Sequence, residues 1–213
     1  MLLVEADIAA MERRYRAAFV NSLSGFKPAN LVGTTDAAGT TNLAIMSSAV
    51  HLGSHPPLLA LVIRPDQAAR HTLDNILERR CYTLNHVADT FIEAAHQTAA
   101  RYDRDISEFA ATGLAEHWEP GFDAPFVAEA RIRMGLHLRE HQTLAINGPH
   151  RIIGEVGLVD VPDACVAADG AIDIEAAGTV ALSGLDSYHH ARRTRRMAYA
   201  KPDLPPRVLH RAG

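Results

Sequence analysis

Cysteine is nearly absent from this sequence. Cys81 and Cys165 are the two among 213 residues, far apart and without a CxxC pair, so no disulfide framework is expected and reduced thiols in the cytoplasm are. A basic surplus is missing too, and the formal net charge of −4 argues against a general nucleic-acid footprint. No stretch approaches the roughly 20 uninterrupted apolar residues of a membrane span, which argues against a membrane partner. The opening MLLVEADIAAMERRYR has no positive leader and places Glu5 and Asp7 where a secretory signal would be apolar. Neither GxGxxG nor GxxxxGK[ST] occurs, which removes support for a Rossmann or P-loop nucleotide site.

What is present is an ordinary globular composition, 47% hydrophobic and 22% charged. The length suits one generous domain, expected to span 1–213. Apolar residues at Val4, Ile8, Met11, Tyr15 and Phe19 recur three and four apart, which predicts an amphipathic helix over about 4–20. NLVGTT and TNLAIMSS flank Asp36–Gly39 as the strands of a β-hairpin. LLALVIR, after Pro56-Pro57, predicts a central strand buried on both faces. RHTLDNILERR predicts a helix with Thr72 as its N-cap. CYTLNHV is a strand, DTFIEAAHQTAARY a helix capped by Asp89, and DISEFAATG a further turn or two of helix closed by Gly113. From Ala124 the pattern turns to β. FVAEARIRMGLHLRE alternates at Ile132, Met134, Leu136 and Leu138, RIIGEVGLVDVPD is its partner, and AIDIEA follows the turn at Asp169-Gly170. A basic, Pro-rich tail is expected over about 186–213. Together these predict a mainly β protein, a β-barrel with helices inserted between strands.

Several motifs carry less than they promise. His137-Leu-Arg-Glu140-His141 matches HxxEH, whose zinc chemistry needs two His one helical turn apart. In a period-2 segment the two stand about 13 Å apart at roughly 3.3 Å per residue, too far for one metal. The twelve histidines show no recognised ligand spacing, so hydrogen-bonded or exposed imidazoles are the simpler reading and no metal is expected. The run ARRTRRMAYAK has no aromatic platform before Tyr199 and reads as a solvated or subunit-clasping tail. Cys81 reads as a core thiol. An anion site has more substance. Arg64, Arg70, His71 and Thr72 lead into a helix N-terminus, where free N–H groups and the dipole favour a phosphate, with Asn75 one turn later. A capped helix with solvent-facing arginines is the competing reading of the same residues.

The order of NLAIMSS, HPPLLALVIRP, RHTLDNI, YTLNHV, AAHQTAARYDRDISEF and GLHLREHQTLAINGPHRIIGEV resembles the flavin reductase-like family of FMN-binding split barrels, from about Tyr15 to Lys201. The resemblance implies a Greek-key split barrel, a homodimer, and FMN near the subunit interface. It also implies an oxidoreductase that passes hydride from NADH or NADPH to bound flavin and on to an acceptor. The flavin ring is then expected along the backbone from Asn42 through Ala44 to Ser47 and Ser48, with the two serines donating to its polar edge. Arg64, Arg70 and Thr72 are expected on the phosphate, beside His71 and Asn75 of the anion site. Asn85, His96, Thr98 and Arg101 are expected at the flavin's side. No side chain is expected to act as an acid or base, because hydride transfer is the cofactor's own chemistry. The N-terminal helix, the long AHQTAARYDRDISEF segment and the SGLDSYHHARR tail depart from the commoner family pattern. Two other functions share these features: a flavin carrier without turnover, and a split barrel holding another ligand such as haem.

Overall fold

The computed structural model describes residues 1–65 and 71–209. The chain opens with two short helices, α1 (Glu5–Ala10) and α2 (Arg13–Leu23), in place of one over about 4–20. The break lies at Glu12, whose carboxylate accepts the N–H groups of Arg14 (2.7 Å) and Tyr15 (3.0 Å) and so restarts the helix with a side-chain cap. Neither helix holds a buried residue.

The strands follow as β1 (Lys27–Pro28), β2 (Asn30–Thr35), β3 (Thr41–Met46), β4 (Ala49–Ser54) and β5 (Pro57–Ile63). After α3 (His71–Arg79) come β6 (Cys81–His86), α4 (Ile92–Gln97), α5 (Glu108–Thr112), β7 (Glu116–His117) and β8 (Phe126–Val127). The long pair β9 (Arg133–Thr143) and β10 (His150–Asp160) precedes the hairpin of β11 (Val180–Ser183) and β12 (Ser187–His190). Seven strands form an antiparallel sheet in the order β3-β2-β6-β9-β10-β5-β4, and β1, β11 and β12 form a second one.

The order of the large sheet explains its shape. Its two edges, β3 and β4, are consecutive in the chain and joined only by Ser47 and Ser48. Laid flat, six gaps of roughly 4.8 Å would hold those edges about 29 Å apart. Three Cα–Cα steps of 3.8 Å allow at most about 11 Å between Met46 and Ala49, so the sheet has to curl until its edges meet at the two serines. Inside the curl lie Val32, Leu61, Ile63, Leu73, Ile76, Tyr82, Leu84, Leu136, Leu138 and Ile152, all buried. The other side of β2 and β3 packs Leu31 and Leu43 against Val87, Phe91, Ala95 and Phe109, a second core under α4 and α5.

The expected hairpin is present: β2 pairs with β3, Asp36 Oδ1 accepts the N–H groups of Ala38 (2.9 Å) and Thr40 (2.8 Å), and Gly39 turns with φ +88°. Gly113, at φ +75°, closes α5 as expected. Other expectations are corrected. Thr72 lies inside α3 (His71–Arg79) and is not its cap. Asp89 makes no capping bond and sits in a 3-10 turn, while α4 stops at Gln97 because Thr98 folds its hydroxyl back onto the Ala95 carbonyl (2.8 Å). AIDIEA is not a strand; only an isolated bridge from Ile172 to Val166 forms there. β5 is not buried on both faces, because Val62 is 37% exposed. The segment read as a tail from about 186 begins with strand β12.

Candidate functional site

Where β3, the start of α3, the end of α4 and the β11–β12 hairpin come together they enclose a cavity of about 750 Å³. That size suits a small molecule or cofactor. β3 is the edge strand of its sheet, with its outward N–H groups spoken for: Leu43 donates to Glu108 Oε2 (2.8 Å) and Ile45 to Thr98 Oγ1 (2.9 Å). Burial pushes the Glu108 carboxyl above its ordinary pKa, against the opposing pull of the Leu43 N–H.

One part of the cavity wall gathers hydroxyls and cations. Asn42 Nδ2 donates to Thr72 Oγ1 (3.0 Å), an acceptance that does not use the hydroxyl's own O–H proton. Arg64 is aimed by α2, its Nη2 donating to Asn21 Oδ1 (2.6 Å). Lys27, which does not itself line the cavity, donates through Nζ to the carbonyls of Asn21 (3.0 Å) and Gly184 (2.7 Å), and its pKa is held down by burial and then by the positive charge of Arg64. His71, Arg101 and Arg104 also line the cavity. Arg104 is tied to Asp74 (3.2 Å) and to Asn75 Oδ1 (3.3 Å).

Ten of the expected site residues line this cavity: Asn42, Ala44, Ser47, Ser48, Arg64, His71, Thr72, His96, Thr98 and Arg101. Ser48 spends its hydroxyl on the Val62 carbonyl (2.6 Å), which pins the seam between β4 and β5 and leaves its backbone N–H as the donor it can offer. Arg70 lies outside the described residues. Asn75 and Asn85 do not line the cavity, which corrects the expectation. Asn75 is buried and donates to Thr34 Oγ1 (3.1 Å). Asn85 is fully buried and saturated, donating to the Leu31 carbonyl (3.0 Å) and Thr83 Oγ1 (2.9 Å) and accepting from the Val127 N–H (3.0 Å). Sequence reasoning missed Glu108, Tyr188, Leu182 and Leu185, which also line it. Tyr188 was hidden by the reading of its segment as a tail, and nothing in DISEFAATG marks Glu108 as buried.

The HxxEH pair is separated by the fold. His137 lies in β9 beside the Phe122 ring at 5.4 Å, whereas His141, past a register shift in the β9–β10 pairing, stacks on His150 at 5.2 Å. Among the described residues no three His, Cys, Asp or Glu side chains converge as a metal site would need.

The pattern of the flavin reductase like domain matches residues 23–170. The chain belongs to that family. A protein of Shewanella frigidimarina NCIMB 400, proposed to be a flavin reductase with a split barrel domain, has a crystal structure that matches with a TM-score of 0.91 at 52% identity, over 94% of this chain and 100% of its own. Nitrilotriacetate monooxygenase component B of Bacillus cereus matches with a TM-score of 0.82 at 19% identity, over 92% of this chain and 98% of its own. The 2-nitrobenzoate 2-nitroreductase of Pseudomonas fluorescens matches with a TM-score of 0.77 at 20% identity, over 100% of both chains. Those two share the fold. This flavin reductase-like chain is thus a mostly β split barrel of an oxidoreductase family that works with flavin. No described helix is long and apolar enough to cross a membrane.

The residues present fit a flavin. Ala44 on β3 and Ser47 just beyond its end are small, the committed N–H groups of Leu43 and Ile45 keep β3 from pairing elsewhere, and the wall with Arg64, His71 and Thr72 supplies donors for an anionic tail.

Proposed function

We propose that this flavin reductase-like protein is an FMN-dependent oxidoreductase that draws on NADH or NADPH. The observation that carries the reading is that Arg64, His71 and the Thr72 hydroxyl line the same cavity as the uncharged edge strand β3. A flavin with one phosphate needs both halves of that arrangement: cations with a hydroxyl for the phosphate, and a flat polar-neutral surface for the ring. Arg64, His71 and Thr72 would hold the phosphate. Ala44, Ser47 and Ser48 would carry the ring, and His96, Thr98 and Arg101 would flank it. Bound there, FMN supplies two-electron chemistry between the nicotinamide nucleotide and an acceptor. The chain's own task is to bind, to orient, and to hold donors where negative charge grows. Glu108 and Thr98 serve that task by fixing the edge of β3.

The proposal includes a homodimer working in the cytoplasm, with residues 1–213 acting as one unit. An apolar groove lined by Leu58, Leu59, Val156, Val159, Ile172 and Ile174 supports a second copy as its cover, since Val159 and Ile174 are 53% and 51% exposed. Both thiols are free and buried, which suits a reducing compartment.

The visible spectrum of the purified protein, with and without added FMN, tests the cofactor. Anaerobic mixing with NADH and NADPH then tests the reaction: bleaching of the flavin bands supports the oxidoreductase, and bands that persist with both nucleotides reduce the protein to a carrier.

A further inference from the structure

A second part of the cavity wall has a different chemistry. Leu182 on β11, Leu185 in the turn and Tyr188 on β12 meet His96 of α4 there. The Tyr188 ring packs against the core that contains Leu182 and Phe109. It meets the His96 imidazole edge-on at 5.8 Å, and its hydroxyl stands 3.0 Å from His96 Nδ1. Two anchors therefore fix the phenol, a packed ring and a hydrogen bond to a different element.

A phenol oxygen carries one proton and two lone pairs, and the facing imidazole nitrogen can donate or accept. With the proton on Nδ1, His96 donates to the Tyr188 oxygen and leaves the phenol proton for a ligand. Burial, and then Asp186, raises the pKa of Tyr188, which keeps that proton in place. In that tautomer the corner is a directed O–H donor beside Leu182 and Leu185, and it matches a flat apolar ring that carries an oxygen acceptor.

We propose that Tyr188 is the anchor for the carbonyl or nitro oxygen of a small, planar, conjugated electron acceptor, the second substrate of this site. The inference rests on the reading of the cavity as an FMN oxidoreductase site. A nicotinamide carboxamide offers the same chemistry, so the test has to separate donor from acceptor.

Nitrobenzene serves as the probe. Its dissociation constant is measured by calorimetry on the FMN-loaded protein, and its KM and that of NADH are measured in turnover, for the wild type and for Tyr188→Phe. The variant keeps the packed ring and loses only the hydroxyl, so a matching thermal midpoint confirms its fold. The expected result is affinity for nitrobenzene weakened about fivefold, with KM for nitrobenzene raised to match and KM for NADH changed less than twofold. Equal nitrobenzene affinity in the two proteins, no binding by the loaded wild type, or a rise confined to the KM of NADH would each overturn this inference and leave the FMN reading standing. A wild-type protein that takes up no FMN would overturn both.

Discussion

The Glu108 carboxylate accepts the Leu43 N–H at 2.8 Å. A side chain from a short helix thereby does at the rim of β3 what a neighbouring strand would do in a longer sheet. Thr98 repeats the device two residues along, on Ile45. Unpaired N–H groups on an edge strand invite pairing with other chains, and these two caps remove the invitation while leaving the strand's face open to the cavity. The same contacts tie α4 and α5 to the strand proposed to carry the flavin ring, so fold and site share one set of bonds.

That relationship predicts a pH effect. Burial raises the Glu108 pKa above the ordinary carboxylate value of 4.5, so below 4.5 the folded and unfolded chains are both protonated there, and above it the unfolded chain releases its proton first. Ionisation of this residue costs the folded state, and its contribution to stability falls as pH rises from 4.5 through the folded pKa. Glu108→Gln can still accept from Leu43 and does not titrate. Urea unfolding at pH 4 and at pH 7 should show the variant gaining on the wild type at the higher pH. A stability difference that is the same at both pH values would contradict the buried-carboxylate account.

Arg64 makes the second prediction. Replacing Arg64 with Ala should weaken FMN by roughly 1–3 kcal/mol, the range for a charge-assisted hydrogen bond, and the salt dependence of binding should become shallower. Asn21→Ala leaves the cation and removes its hydrogen-bond partner, so a smaller loss is expected. Flavin fluorescence titrations at two salt concentrations measure both. If Arg64→Ala and Thr72→Ala each bind FMN like the wild type, the phosphate does not sit at this wall.

Much of this architecture is legible in the chain because local chemistry and tertiary need agree. NLVGTT-DAAG-TTNLAIM turns on an Asp that caps its own loop and pairs as a hairpin, and ten of the thirteen expected site residues share one cavity. The failures have physical causes too. Asn85 carries the same amide as Asn42, and only the partners around it turn one into a buried cross-strand tie and the other into a wall of the cavity. Glu12 breaks the first helix through its side chain, a role that apolar spacing does not register. Tyr188 sits among Ser, His and Arg, and its strand exists because β11 is there to pair with it. Non-local pairing of that kind leaves little periodic signal in four residues.

The seam between strands predicts a third outcome. Gly33 on β2 faces Leu43 on one side and Thr83 on the other. A Cβ at Gly33 would run into the Pro125 carbonyl and into Thr83 Oγ1, two groups already hydrogen-bonded to each other at 2.7 Å. Backbone cannot step aside as a side-chain tip can, so Gly33→Ala should cost roughly 2–3 kcal/mol and lower Tm by roughly 5–10 °C. Calorimetric unfolding with an unchanged midpoint would show that β2 has room the packing denies.

Tyr82 offers the opposite sign. Its ring fills the inside of the curled sheet at 0% exposure, and its hydroxyl has no hydrogen-bond partner among the described residues. The ring is needed, since the phenol oxygen lies where a side chain on Gly154 would have to go. The hydroxyl is not, because a buried O–H without a partner has given up its water and received nothing in return. Tyr82→Phe keeps the volume within one atom and should be neutral or stabilising by about 0.5–1 kcal/mol, read from the urea midpoint at unchanged m-value. A loss beyond about 1 kcal/mol would mean that the hydroxyl holds a bond inside the barrel, and a buried water would be the first candidate for its partner.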